Sequence, residues 1–205
     1  MFKISRFFSI VLCVALLAVA ASAQMSDKEK ANQIKKATET SNKAAKVLNE
    51  LMGIPASSIP ESLLNKAKAI AVFPGVKKAA FIVGGSGGQG LVTRRLASGW
   101  SAPVAFKLAK GSVGFQIGGS STDYVLLIMN DDGLNNLLED QVELGGEASV
   151  AAGPVGRTAT AATDAQLQAE ILSYSRTQGL FAGVSLQGGV LSPDNDRNMA
   201  LYNLP

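Results

Sequence analysis

The 205-residue chain contains no histidine and a single cysteine, Cys13. The lack of histidine excludes a Ser-His-Asp or Cys-His nucleophile pair, a histidine zinc site and an H-E-x-x-H helix. Aromatic residues are scarce at 6%, and charged residues reach only 17%. Long apolar runs are also missing, apart from Ile10 to Ala20 near the start. That run follows Lys3 and Arg6 and precedes Ala21-Ser22-Ala23, which is the layout of a secretory signal peptide over 1–23, cleaved before Gln24. It is too short for an ordinary spanning helix. Cys13 leaves with the signal, so the mature chain enters an oxidising compartment with no disulfide and no thiolate chemistry. The expected location is periplasmic or secreted.

A strong basic excess is missing too. The formal charge of +3 falls to +1 once Lys3 and Arg6 are removed. Dedicated nucleic-acid binders usually show a marked positive balance, so no nucleic-acid partner is expected. What remains, 24–205, has the length of one domain and is 47% hydrophobic over the whole chain, enough to bury a core without staples.

Charge is nevertheless unevenly placed. Residues 24–78 hold ten lysines against five acids, and residues 79–205 hold seven bases against eleven. The basic stretch begins with residues 26–52, which read as an amphipathic helix. Ser26 and Glu29 form a capping box, and Gly53 supplies a stop. At 100° per residue, Ile34, Ala37, Thr38, Ser41, Ala45, Leu48 and Met52 share one stripe. Lys28, Lys35, Lys36, Lys43 and Lys46 fall on the other side, alongside Glu29, Glu39 and Glu50. A shorter helix is expected from Pro60 to about Lys68.

From there glycine takes over. Twenty of the 21 glycines lie between Gly75 and Gly189, among short β-prone runs. Strands are expected near 69–73, 79–84, 90–95, 103–108, 112–118, 122–129, 148–152, 170–176 and 180–187. Short helices are expected over Asp131–Asp140, with Leu134, Leu137 and Leu138 inward, and over Pro193–Tyr202. Glycine at this density permits bulges and corners. The fold class is therefore α+β: a curved Gly-rich antiparallel sheet or partial barrel, an N-terminal amphipathic helix and short flanking helices.

Three motifs invite chemistry and fail on context. Gly85-Ser86-Gly87-Gly88-Gln89-Gly90 matches G-x-G-x-x-G, but a strand-like Leu91-Val92-Thr93 follows instead of a helix, and no acid occurs between Glu61 and Asp123. A glycine hairpin is the expectation there. Gly84 to Gly88 fits the G-x-S-x-G elbow without its histidine base. Asp194-Asn195-Asp196 starts like a calcium loop, without the glycine and glutamate that complete one, and reads as capping of the last helix. The acids Asp131, Asp132, Glu139, Asp140, Glu143 and Glu147 could supply a carboxylate pair for an envelope hydrolase, although Asp131 and Asp132 read better as helix caps. A lipid-spanning barrel is disfavoured, because Tyr124 to Met129 is continuously apolar rather than alternating. No catalytic residue, metal or cofactor is expected.

Several ordered blocks together resemble the SYLF lipid-binding domain family. They are Ala69-Ile70-Ala71-Val72-Phe73-Pro74-Gly75 with Lys77-Lys78, Phe81 to Gly85, Gly99-Trp100-Ser101-Ala102-Pro103, Phe115 to Gly119, Gly153-Pro154-Val155-Gly156-Arg157, and Ser173-Tyr174-Ser175-Arg176 through Gly179 to Leu186. The resemblance runs from about Ala31 to Tyr202. It implies a non-enzymatic domain: eukaryotic members bind phosphoinositides and anionic membranes, and some bind or bundle actin. It also implies lipid contact through the N-terminal helix, with Lys28, Lys35, Lys36, Lys43 and Lys46, and less directly Lys77, Lys78, Arg94 and Arg95. A secretion signal and the absence of appended adaptor or zinc-finger domains give the chain a bacterial look. Phosphatidylglycerol, cardiolipin or lipopolysaccharide then replace phosphoinositides as expected partners. A structural or partner-binding envelope protein, whose helix meets another protein, is the alternative.

Overall fold

The computed structural model describes residues 25–53, 59–80, 83–113, 118–156, 168–177 and 180–203. The expected signal peptide, Phe81-Ile82, Phe115 to Ile117, Arg157 and Gly179 lie outside them. The elements in chain order are α1 (Asp27–Gly53), α2 (Glu61–Lys66), β1 (Ala69–Ala80), β2 (Val83–Leu96), β3 (Gly99–Trp100), β4 (Val104–Val113) and β5 (Gly118–Ile128). Then come α3 (Asp131–Asn136), β6 (Val142–Glu143), β7 (Val150–Ala152), β8 (Ile171–Thr177), β9 (Leu180–Gly183), β10 (Gly189–Pro193) and α4 (Asn195–Tyr202).

The centre of the molecule is β1, whose first half, Ala69 to Phe73, is apolar on both faces. Ala69, Ala71 and Phe73 point to one buried cluster, and Ile70 and Val72 point to another. A strand buried on both sides loses the polar alternation of an edge strand. Around it the sheet runs β6-β10-β4-β2-β1-β5-β8-β7, with β3 on β2 and β9 on β8. It curls strongly into a half-barrel whose path does not close, and the helices flank it, so the fold is α+β as expected. It is mixed rather than antiparallel throughout, since β7 lies parallel to β8.

The strand expected at 69–73 extends to Ala80 as β1, and the one expected at 79–84 is divided between the end of β1 and the start of β2. Pro74 and Gly75, read as a break, form a bulge inside β1, where the register shifts against both β2 and β5. Gly75 takes φ of 62°, and its N–H donates to Asp123 Oδ1 at 2.7 Å, which holds the bulge. The expected glycine hairpin is corrected similarly. Gly84 to Gly90 lie within the first half of β2, paired throughout with β4, and over Gly84 to Gly87 also with β1. The glycines are there for close approach: a Cβ on Gly90 would stand 2.3 Å from the Val72 carbonyl oxygen, and one on Gly88 would stand 2.7 Å from Val76 Cγ2. The strands expected at 103–108 and 112–118 likewise begin as one strand, β4.

The concave face buries Phe73, Val76, Phe106, Leu108, Leu126 and Ile128 together with Leu134 of α3 and Leu137 just after it. Leu138, expected to point inward, is 77% exposed, because α3 ends at Asn136 and the chain turns away. Nor do Asp131 and Asp132 cap this helix. Asn130 does, its side-chain oxygen accepting from the Gly133 N–H at 2.8 Å.

The other face carries α1 and α2. Ala44, Val47 and Leu51 of α1 join Ile70, Val72, Val125, Leu127, Leu172 and Tyr174 in one cluster. Gly153 and Pro154 cover the Tyr174 ring. A Cβ on Gly153 would overlap it at 2.0 Å, and the Tyr174 hydroxyl donates to the Pro154 carbonyl at 3.3 Å. Two blocks of the family resemblance therefore meet in space, one lying on the other.

Candidate functional site

The capping half of the sequence reading holds for α1: the Glu29 N–H donates to Ser26 Oγ at 3.3 Å. Its apolar stripe is corrected. The buried residues are Ala37, Ala44, Val47 and Leu51, whereas Ile34 and Met52 are 38% and 49% exposed. The docked face is turned by roughly a quarter of a circle from the expected one at 100° per residue. Val47 and Leu51 outweigh the Ala, Thr and Ser positions that filled the expected stripe, because burial free energy scales with apolar area.

Polar ties fix the same helix. Near its C-terminal end Glu50 pairs with Arg176 Nη1, while Arg176 Nε and Nη2 donate to Asp123 Oδ2 at 2.9 and 2.6 Å. Burial works against the Arg176 charge, but hydrogen bonds and charge from Asp123 and Glu50 outweigh it and leave its pKa raised. Asp123 thus joins the β1 bulge to β8, and Arg176 carries the tie on to Glu50 of α1. Nearer the N-terminus the ties are thinner. Arg197 Nη1 of α4 donates to Thr40 Oγ1 at 3.3 Å, and Lys30 Nζ donates to Asn203 Oδ1 at 3.0 Å.

Docking leaves the remaining surface of α1, its flanks included, to solvent. Lys28, Lys35, Lys36, Lys43 and Lys46 are all exposed. Lys46 makes only a loose i,i+4 contact with Glu50 at 3.8 Å, of little energetic weight at a surface. These lysines share the exposed surface with Glu29 and Glu39, on a helix whose buried side is docked on its own sheet.

The remaining expected contacts separate. Lys77 lies on the α1 side of the sheet, with Nζ 3.5 Å from Ser121 Oγ. Lys78, its neighbour along β1, points to the other face, where it lines a small hollow of about 160 Å³ with Ser86, Lys110, Ser120, Thr122 and Tyr124. Arg94 is exposed at the far end of β2. Arg95 is engaged in the fold: Nε and Nη2 donate to the Ala67 and Leu64 carbonyls at 2.9 and 2.6 Å, and its guanidinium lies 4.3 Å over Trp100.

Lys43 and Lys77 come together with a residue that sequence reasoning missed, Lys107 of β4. All three line an open cleft of about 540 Å³ between α1 and the sheet, with Thr40, Gly87 and Gln89. Behind Lys107 lies a buried polar cluster. Asp194 accepts from Lys107 at 3.1 Å and lies 3.4 Å from Arg197 Nε, and Arg197 Nη2 donates to Gln89 Oε1. Asn198 completes it, pairing with both the N–H and the carbonyl of Ala105 at 2.8 and 3.1 Å. Asp194 stands at the N-cap position of α4 yet makes no side-chain cap bond, its carboxylate being turned to these cations instead. Lys107 alternates with Phe106 and Leu108 in the sequence, which marks it as facing away from the concave core, but nothing local says that α1 lies above it.

A second cleft of about 300 Å³, lined by Leu48, Ile70, Val72, Leu91, Thr93 and Trp100, is mainly apolar. Neither of these clefts, nor the small hollow, has a carboxylate among the described residues of its wall. The acids weighed for hydrolysis do structural work instead, Asp131 pairing with Lys68 at 3.2 Å and Glu147 accepting from the Glu143 N–H at 2.7 Å. Among the described residues, no three acidic or other metal-ligating side chains gather, and no helix is long and apolar enough to cross a membrane.

With this geometry in place, comparison with known proteins is informative. A family profile described as "Ysc84: Las17-binding protein actin regulator" matches residues 109–205. LAS seventeen-binding protein 3 of Saccharomyces cerevisiae is 36% identical over 170 residues, covering 78% of this chain and 37% of that protein. The chain carries a Ysc84/SYLF-family domain. Human SH3 domain-containing YSC84-like protein 1 is 37% identical over 167 residues, covering 78% of this chain and 48% of its own length. An SH3 domain-containing protein of Schizosaccharomyces pombe is 43% identical over 148 residues, covering 70% and 34%. The chain thus spans between a third and a half of the length of these Ysc84/SYLF relatives, whose names are those of binding and SH3 proteins and not of enzymes.

Proposed function

We propose that this domain is a non-enzymatic binder of anionic membrane surfaces, acting in the periplasm or outside the cell after removal of residues 1–23, with 24–205 as a single domain. The observation that carries this reading is the division of α1. Its buried apolar residues Ala44, Val47 and Leu51 belong to the domain's own core, Ile34 and Met52 stay exposed, and five lysines stand exposed on the remaining surface. Contact is therefore peripheral and electrostatic, with the helix lying on its sheet, and not an insertion of the apolar face into the bilayer. Lys28, Lys35, Lys36, Lys43 and Lys46 make the primary contact, Lys77 and Arg94 extend it, and phosphatidylglycerol, cardiolipin or lipopolysaccharide supply the negative charge.

A protein partner is the second reading, favoured by the relative named as a LAS seventeen-binding protein. The same exposed face of α1 would serve an acidic protein surface.

Co-sedimentation with phosphatidylcholine vesicles, with and without phosphatidylglycerol, separates the two. Removing α1 is an unsuitable control, because Val47 and Leu51 belong to the core. Reversing charge at Lys35→Glu and Lys36→Glu leaves the core intact. Binding that is selective for phosphatidylglycerol, weakened by salt and lost in the double variant supports the membrane reading. No binding to either vesicle overturns it in favour of a protein partner.

A further inference from the structure

We infer that the cleft between α1 and the sheet is a binding site for a phosphate-bearing anion, held by Lys43, Lys77 and Lys107. The inference deepens the membrane reading by naming the headgroup chemistry and the place that receives it.

The three lysines come from three elements, α1, β1 and β4, and line one cleft of about 540 Å³ with no carboxylate among the described residues of its wall. Gathering like charges around one opening raises the energy of the empty site, and an anion relieves that repulsion. The nearest carboxylate does not neutralise the cluster. Asp194 is 3% exposed and lies between Lys107 and Arg197, so Arg197 and the three lysines outnumber it by four cations to one. Arg197 adds charge from behind the wall: it is bonded to Thr40 and Gln89, which both line the cleft, and its buried Nε, 3.4 Å from Asp194 Oδ2, has no hydrogen-bond acceptor among the described residues.

Strand register explains the space. Lys77 pairs with Gly87, and Lys107 pairs with Gln89, two residues further along the same face of β2. Where a side chain would stand on that face beside Lys77, β2 has only hydrogen. Lysine ammoniums grip phosphate as point charges with rotatable donors, without a fixed geometry. A lipid headgroup and a free phosphate compound share this chemistry.

Gly87 gives the decisive variant. A Cβ there meets nothing closer than the Leu108 carbonyl at 3.8 Å, so Gly87→Leu fills the cleft while removing no charge and leaving the pairing intact. Pyrophosphate is titrated into the wild-type protein, Gly87→Leu and Lys43→Gln, with backbone amide shifts at Gln89 and Thr40 as readout and circular dichroism as the fold control. The same proteins are sedimented with phosphatidylglycerol vesicles. The expected result is saturable binding of pyrophosphate, weakened about tenfold or more by Gly87→Leu and several-fold by Lys43→Gln, the scale of losing charge-assisted contacts. A parallel loss of vesicle binding in Gly87→Leu identifies a lipid headgroup as the source, and unchanged vesicle binding identifies a free phosphate compound. Absence of saturable shifts, or equal affinity in Gly87→Leu, overturns the site. It does so even if the vesicles still bind, in which case the membrane reading stands without it.

Discussion

The two halves of α1 are built from similar residues and held quite differently. From Ala44 to Leu51 the helix contributes to the core and is clamped by Glu50 to Arg176. From Asp27 to Lys43 it buries only Ala37 and is tied through two longer polar contacts to α4 and the residue after it. One half is part of the fold, and the other is mostly surface that the fold presents. An amphipathic, basic helix need not owe its apolar side to a membrane, and here that side is already occupied.

The sharpest way to break this contrast is at Leu51. Leu51→Ala removes a fully buried side chain beneath the clamp and is expected to cost about 3 kcal/mol, read as a lowered denaturation midpoint. Ile34→Ala, in the other half, is expected to stay within roughly 0.5 kcal/mol of wild type, as for exposed positions generally. Equal losses at the two sites would erase the distinction.

The clamp itself is next. Glu50→Gln keeps the shape and removes the charge facing Arg176, with an expected cost of about 1 kcal/mol in chemical denaturation. Arg176 retains Asp123, which limits the loss.

Alkali probes the floor under the docked half. Burial holds the Tyr174 phenol well above its ordinary pKa, so the folded protein keeps a proton that the unfolded chain releases near pH 10. Above that pH the unfolded state binds fewer protons, and stability falls as pH rises, by roughly 1 kcal/mol per pH unit from this residue. Burial also raises the Tyr124 pKa, against a lowering by its hydrogen bond with Thr122, so it acts in the same direction. Tyr174→Phe is expected to flatten the alkaline slope measured by denaturant titration; an unchanged slope would place its cause elsewhere.

The smallest effect on stability is expected at the free end. Ser26→Ala removes the cap seen at Glu29 and should cost about 0.5 kcal/mol, visible as faster amide exchange in the first turns of α1 and not near Leu51.

Much of this was legible in the sequence because it depends on local pattern. The Ser26 cap, the span of α1, the buried Val125 to Ile128 run and the exposed lysines all follow from spacing along the chain. The β-prone runs interleaved with glycine, flanked by helical stretches, gave the fold class. The glycine-rich middle misled, since glycine has no side chain to show a period and reads as a turn; only the contacts of Gly88 and Gly90 with β1 show why β2 runs through it. The stripe on α1 was misplaced because Thr38, Ser41 and Ala45 carry little apolar weight, and the choice of face was made by the sheet beneath. The cleft was hidden for the strongest reason. Lys43, Lys77 and Lys107 are separated by 30 residues or more, and strand register together with α1 docking brings them together.

The most direct test of the account is a distance between the helix and its sheet on the membrane. The only cysteine, Cys13, lies within the expected signal, so residues 24–205 accept spin labels at Asn42→Cys on α1 and Ala182→Cys on β9, both exposed positions. A docked helix whose lysines alone meet the lipid gives the same narrow distance distribution in solution and on phosphatidylglycerol vesicles. A longer or broadened distribution on vesicles would show α1 leaving the sheet, and would contradict the claim that its apolar face belongs to the core.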